Sequence, residues 1–183
     1  MLTNNGYYRQ TDGLAMGSPL APLLANGWLS KFDEKMKGEG RMYFRYMEDI
    51  LRDIKCQCIE GVLHPSLKFT CEREKDGTIP FLDMLICHSN RYLTSTWYTK
   101  STDTGLPMKY LALAPLKYKR SIVSDLVHRI YRACSPWEEF YYSLVNARKL
   151  LLRNQYTPSF FEPIITRAVY KLLIGPENWI KKM

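Results

Sequence analysis

The sequence predicts an α+β protein in which a mixed first part precedes an all-helical second part. Up to about residue 112, stretches that alternate apolar and polar residues surround one segment with helical spacing. From residue 117 onward the spacing is helical, and Lys and Arg outnumber Asp and Glu by 12 to 5. We therefore expect two domains, residues 1–112 and residues 113–183.

Composition bounds the class of protein before any motif is considered. The 183 residues are 46% hydrophobic, which is enough to build a core. No apolar run is long enough to span a bilayer, and the first residues lack the regions of a signal peptide. The five cysteines are an odd number, and Cys56 and Cys58 lie too close together for a zinc knuckle. We expect an intracellular protein with reduced thiols and no membrane partner.

The first helix is predicted behind a flexible approach that contains Gly13 and Gly17. Ser18 can cap this helix, with Pro19 at its first position, and the helix should reach about Lys35. Four apolar residues at fourfold spacing share one of its faces. They are Leu20, Leu24, Trp28 and Phe32.

Three extended regions are predicted around this helix. Residues 6–12 form a short strand, and residues 41–55 alternate like a hairpin with Glu48 and Asp49 at its tip. Residues 67–74 form a strand that pairs with residues 79–87 across an Asp-Gly turn, and residues 91–99 form a last strand.

The acidic pair at the hairpin tip is the least expected feature of this part. Glu and Asp are poor turn formers, and two adjacent carboxylates repel each other. Carboxylates on a tight turn suit a hard divalent cation such as Mg²⁺, although an exposed acidic turn without a metal is the alternative.

The second part reads as three amphipathic helices. Their predicted core stripes are Val123, Val127, Ile130 and Cys134; then Phe140, Leu144, Ala147 and Leu151; then Phe161, Ile165, Ala168 and Leu172. Residues 135–138 and residues 159–162 have the pattern of a capping box, and Gly175 with Pro176 should end the third helix.

The positive charge of the second part predicts a polyanionic partner, although a solvated helical surface would have a similar composition. The first of the three helices carries all five candidates for phosphate contacts. The candidate nucleic-acid-binding residues are Lys117, Lys119, Arg120, Arg129 and Arg132.

Several segments, in their order along the chain, resemble the reverse transcriptase family, in particular the polymerases of Penelope-like retroelements. Residues 12–22 (DGLAMGSPLAP) resemble motif B, and residues 45–50 (RYMEDI) resemble motif C. Residues 68–72 followed by residues 80–83 are similar to the segment after the palm hairpin. The trihelical region resembles a helix-turn-helix domain found in the same proteins.

The resemblance implies a partial polymerase palm, with one helix packed on antiparallel strands, followed by a thumb or helix-turn-helix unit. It implies RNA-directed DNA synthesis with an RNA template, a DNA primer and Mg²⁺ or Mn²⁺. Asp49 and Glu48 would hold the metal as catalytic residues. Gly17, Ser18, Pro19 and Tyr46 would contact the nucleotide or template.

Two departures from the family pattern lead us to expect no polymerase activity from this chain alone. Motif C normally reads Tyr-x-Asp-Asp, whereas Glu48 stands at the first Asp here. The family's other catalytic Asp lies upstream of motif B, where this sequence begins. The alternative is a non-catalytic, nucleic-acid-binding helix-turn-helix module. A nucleic-acid enzyme would act in the nucleus, yet no basic import cluster is visible, and the oligomeric state is not specified.

Overall fold

A computed structural model describes residues 2–3, 6–7, 13–15, 17–37, 42–52, 69–89, 92–103, 105 and 108–174. It contains helices and small antiparallel sheets, so the predicted α+β class is confirmed. Two compact units are present, Met1–Cys71 and Glu72–Met183, and we describe each by itself. The predicted boundary, which separates a polymerase-like domain of residues 1–112 from a helical domain of residues 113–183, stays a prediction.

Unit 1 contains two short hairpins and one helix. The first hairpin pairs β1 (Leu2–Thr3) with β2 (Gly6–Tyr7), so the predicted strand over residues 6–12 is present at its start. Residues 8–12 lie outside the described residues. The helix, α1, spans Ala21–Lys37. The second hairpin pairs β3 (Tyr43–Tyr46) with β4 (Asp49–Arg52).

The start and the apolar face of α1 both differ from the prediction. The helix begins at Ala21, whose backbone N–H donates to the carbonyl of Ser18 at 3.1 Å. Residues 19–20 therefore form a turn before the helix. On the predicted core face Phe32 is fully buried and stacks on Phe69, with ring centroids 5.9 Å apart. The other three residues of this stripe are half exposed or more: Leu20 61%, Leu24 50% and Trp28 52%.

The sheet of unit 2 has the order β5-β6-β7, and all of its pairs are antiparallel. Its strands are β5 (Thr78–Phe81), β6 (Met84–Ser89) and β7 (Tyr92–Trp97). β7 confirms the last predicted strand.

The predicted pairing that leads into this sheet is wrong. Residues 69–74, the described part of the expected strand, lie in no strand. Residues 79–87 instead fold back on themselves, since Phe81 pairs with Met84 and Leu82 adopts a positive φ of 55°. The Asp-Gly turn does form, but it closes only one bridge, between Lys75 and Thr78.

Three helices complete unit 2: α2 (Leu116–Ala133), α3 (Trp137–Arg153) and α4 (Pro158–Ile174). Their predicted stripes form one core, with Leu172 packed partly buried against it. α4 ends before the predicted Gly-Pro stop, which lies outside the described residues. Within the described residues no helix has the length and apolar character needed to cross a membrane.

Neither predicted capping box forms. The N-cap of α3 is Pro136, and the hydroxyl of Ser135 instead accepts a hydrogen bond from the backbone N–H of Ser95 in β7 at 2.9 Å. α4 begins at Pro158, so Ser159 lies inside its first turn. Glu162 accepts two hydrogen bonds from Arg148 of α3. The side chains of Ser135 and Glu162 join neighbouring elements of the fold instead.

A buried polar node joins the end of α3 to the segment before α2. Asn154 is fully buried, and its side-chain amide donates to the carbonyls of Gly105 and Leu150 at 3.0 and 2.9 Å. The backbone carbonyl of Asn154 accepts a hydrogen bond from the N–H of Tyr110. Tyr156, also buried, donates its hydroxyl to the carbonyl of Met108 at 2.9 Å, and burial raises its pKa. The segment before α2 is therefore held in a fixed position.

Candidate nucleic-acid interface

The acidic pair lies on the hairpin of unit 1, but it is not the tip of that hairpin. Because Tyr46 pairs with Asp49, the turn residues are Met47 and Glu48, and Asp49 is the first residue of β4. Met47 holds a positive φ of 51°. The expectation that Glu48 and Asp49 together form the tip is therefore wrong by one residue. Both carboxylates are exposed.

A charged clamp fixes this hairpin against α1. Arg45 of β3 donates through Nε and Nη2 to the two carboxylate oxygens of Asp33, at 2.8 and 2.7 Å. The hydroxyl of Tyr43 donates to the same carboxylate at 2.6 Å. The hydrogen bonds from Arg45 lower the pKa of Asp33, while burial opposes them. The guanidinium also reaches Asn26 and the carbonyl of Met47, so the clamp extends to the turn.

The hairpin supplies two of the carboxylates that the metal site implied by the resemblance would need. Two adjacent, exposed carboxylates suit a hard cation such as Mg²⁺, which commonly takes one or two carboxylates together with substrate phosphates. Among the described residues, no group of three or more potential metal-ligating side chains occurs. Asp33 on α1 is already bound by Arg45 and Tyr43. The roles of Glu48 and Asp49 as metal ligands and catalytic residues stay a prediction.

The other residues suggested for nucleotide or template contacts lie at the start of α1 and at the end of β3. Gly17 adopts a φ of 86°, and a Cβ added there would meet no atom within 4 Å. The backbone conformation, not lack of space, thus favours glycine. Ser18 is half-buried and Pro19 exposed in the turn before α1, and Tyr46 is 59% exposed. Their contacts with nucleotide stay predictions.

The five cations suggested on α2 divide into two groups. Lys117, Arg120 and Arg132 are exposed. Lys119 is buried, with its ammonium 5.0 Å from the centre of the Tyr110 ring. Arg129 donates to Asp83 beside the sheet through Nε and Nη2, at 3.2 and 2.9 Å. Three of the five side chains are therefore exposed to a ligand, although the ammonium of Lys117 lies 5.1 Å from the centre of the exposed Tyr118 ring, and Lys119 and Arg129 are held within the protein.

Sequence reasoning missed cations outside α2 that are as exposed as those on it. They are Lys109, Lys149, Arg153, Arg167 and Lys171. Together with Lys117, Arg120 and Arg132 they form what we call the open cations, which have no ion pair with any described residue. Helical spacing could have identified the four on α3 and α4, because they lie away from the predicted core stripes, whereas Lys109 precedes α2 and has no such signal.

The acidic residues of the helical region do little to neutralise these charges. Asp125 accepts a hydrogen bond from Ser121, Glu139 accepts one from Thr96, and Glu162 is bound to Arg148. These are three of the four acidic side chains between residues 109 and 174. The fourth is Glu138, which is exposed in the first turn of α3. The positive charge is therefore largely uncompensated at the surface.

Comparison with protein families finds a match in the region that carries the open cations. Residues 109–166 match the animal helix-turn-helix domain. The match contains α2, α3 and the first half of α4, and covers fewer than half of the 183 residues. It supports the trihelical helix-turn-helix region and the nucleic-acid partner, and does not extend to the residues that resemble a polymerase. Comparison with curated proteins and with solved structures found no match.

Proposed function

We propose that this protein binds nucleic acid through its helix-turn-helix region, using the open cations to contact phosphates. The observation that carries the proposal is the group of eight exposed Lys and Arg side chains without an ion pair to any described residue. Phosphate neutralisation by such side chains releases counterions and supplies most of the affinity of non-specific binding.

The match to the animal helix-turn-helix domain supports this function, since helix-turn-helix units bind DNA by laying a helix in the major groove. The separation of roles among the cations supports it further. Arg129 and Arg148 are used to join elements within the fold, whereas Arg120 and Arg132 have no such use.

A salt titration of binding tests the proposal. The full chain should bind a duplex, and log K should fall linearly with log salt by about 0.9 for each phosphate contact. The double variant Arg120→Gln with Arg132→Gln should weaken binding and reduce the slope by up to about 2. Lys31→Gln, which removes an exposed cation from α1, is the matched control. Binding that is absent, or that does not respond to salt, would refute the function.

As a second candidate, we propose descent from a retroelement RNA-directed DNA polymerase. The observation that favours it is the β3–β4 hairpin, which carries Tyr46, Glu48 and Asp49 in the order of motif C and is clamped to the helix that follows Gly17 and Ser18. In this proposal Asp49 and Glu48 would hold Mg²⁺ or Mn²⁺ at a DNA primer on an RNA template. The ion would stabilise charge on the transferred phosphoryl group.

We expect no template-dependent synthesis from this chain, because the longer side chain of Glu48 displaces its carboxylate by more than about 1 Å, and such errors cost about 10²-fold. Primer extension with Mg²⁺ or Mn²⁺ tests this expectation. Extension by the chain that disappears in Asp49→Asn would show an active polymerase and overturn it. Glu48→Asp restores the family motif and is the informative second variant.

A further inference from the structure

The segment that leads into α2 exposes leucine side chains on a backbone that is firmly anchored. We call residues 110–115 the leucine loop. Leu111 is 74% exposed and Leu113 is fully exposed, while the residues that alternate with them are half-buried: Tyr110, Ala112 and Ala114. Single exposed apolar residues are normal on soluble proteins, whereas neighbouring exposed apolar side chains are typical of contact sites.

The backbone of the leucine loop is held in place by contacts with the helical core. The N–H of Tyr110 donates to the carbonyl of Asn154 at 3.0 Å, and its ring meets those of Tyr156 and Phe160 edge-on, at 5.3 and 5.2 Å. Within the loop, Ala114 donates to the carbonyl of Ala112 at 2.8 Å. The leucines thus project from a backbone whose position is set by the helical core, and little ordering entropy would be lost when they are covered.

The charges around the loop identify the kind of partner that it fits. Residues 108–120 contain four Lys and Arg and no acidic residue. Lys109 precedes the leucines and Lys117 and Arg120 follow them, all exposed. An apolar projection framed by cations fits a polyanion that also has an apolar interior. A nucleic-acid duplex has that chemistry, and proteins that bend duplexes insert apolar side chains between base steps.

We propose that the leucine loop is a wedge that inserts Leu111 and Leu113 into a duplex whose phosphates are held by Lys109, Lys117 and Arg120. The inference rests on the proposed nucleic-acid binding and deepens it by naming where the bases are touched. It makes the protein a duplex-bending factor, since partial unstacking of a base step kinks the helix axis by tens of degrees.

The test measures affinity, salt slope and duplex shape for the full chain. A duplex of about 25 base pairs, labelled at both ends for energy transfer and carrying a fluorescent stacked-base analogue, reports bending and unstacking. The wild-type chain should shorten the end-to-end distance and brighten the analogue. Leu111→Ser with Leu113→Ser should abolish both signals and weaken binding about tenfold, with an unchanged salt slope because the phosphate contacts remain.

Leu152→Ser is the matched control, since Leu152 is 50% exposed on α3 and should leave bending unchanged. Both leucine-loop side chains are exposed, so the double variant should keep the far-ultraviolet circular dichroism of the wild type. A wild-type chain that binds with the expected salt slope but leaves the duplex straight would overturn the wedge and leave the proposed function standing. Loss of all duplex binding would refute both. Leucine-dependent binding to anionic vesicles with no duplex bending would assign the loop to a membrane surface instead.

Discussion

The apolar stripe of α1 and the stripes of α2, α3 and α4 have the same spacing but differ in burial. Leu24 and Trp28 on α1 are half exposed, whereas Ile130 and Leu151 in the helical core are fully buried. The three helices of unit 2 bury one another, whereas the described side-chain contacts of α1 are with the short strands β3 and β4 and with Phe69, through Asn26, Phe32, Asp33 and Met36. Helical spacing shows which residues share a face, but burial also needs a surface that covers it.

The two regions also use polar groups differently. Unit 1 relies on the charged clamp between Asp33 and Arg45, with side chains that are 18% and 10% exposed. Unit 2 relies on an apolar core supplemented by the neutral amide of Asn154. Unit 1 should therefore respond to pH in acid, and unit 2 should respond mainly to the loss of apolar volume.

The largest expected difference is between two Leu→Ala substitutions, one in the helical core of unit 2 and one on α1. Leu151→Ala should lower the free energy of unfolding by about 2–5 kcal/mol, because it leaves a cavity in the helical core. Leu24→Ala should change it by less than about 0.5 kcal/mol, since that side chain is half exposed. Urea denaturation followed by circular dichroism measures both. Equal losses would contradict the contrast between the two stripes.

Removal of the buried amide should have the next largest effect. Asn154→Ala leaves the carbonyls of Gly105 and Leu150 without their donor and should cost about 1–3 kcal/mol of unfolding free energy. Asn146→Ala, on the exposed side of the same helix, is the control and should be nearly neutral. A neutral Asn154→Ala would mean that the side-chain amide does not stabilise the contact between Gly105 and the end of α3.

The charged clamp predicts a pH dependence confined to unit 1. The pKa of Asp33 is lowered in the folded state by its hydrogen bonds to Arg45, so its stabilising contribution is complete above the unfolded value of 3.8. The contribution is lost as the pH falls below 3.8 through the lower folded pKa. Arg45→Gln should raise the pKa of Asp33 and cost about 1–2 kcal/mol.

Carboxyl chemical shifts against pH and hydrogen exchange of the β3 amides measure this effect. Arg153→Gln, which removes an exposed cation from unit 2, should alter neither measurement. An Asp33 pKa that stays low in Arg45→Gln would assign the shift to Tyr43, the other donor to that carboxylate.

The smallest expected effect is a gain in stability. α3 ends with Gln155 at a φ of 67°, and Tyr156 and Gln155 donate to the carbonyls of Leu151 and Leu152. This is a Schellman ending, in which glycine is the usual left-handed residue. Gln155→Gly should therefore raise the unfolding free energy by about 0.5–1 kcal/mol, whereas Gln155→Ala should not. Thermal denaturation distinguishes the two variants.

Features encoded over one or two turns of chain were predictable. The stripes Val123 to Ile130 and Phe140 to Leu151 specified the helical core, since only an amphipathic helix buries that spacing on one face. The positive charge of the same region predicted its polyanionic partner. The hairpin of residues 41–55 was predicted with a one-residue error at its tip. Met47 adopts a positive φ, which methionine rarely does, so the sequence did not indicate it as a turn residue.

The sequence by itself determined the helical face of each amphipathic segment, the Asp-Gly turn at residues 76–77 and the excess of cations near the carboxyl terminus. Only the tertiary structure decided that Ser135 joins a strand instead of capping a helix, which cations are open, and that two leucines project before α2. Local patterns are fixed by neighbours along the chain. The partner of Ser135, the ion pair of Arg129 and the exposure of Leu113 depend on groups that only folding brings together or keeps apart.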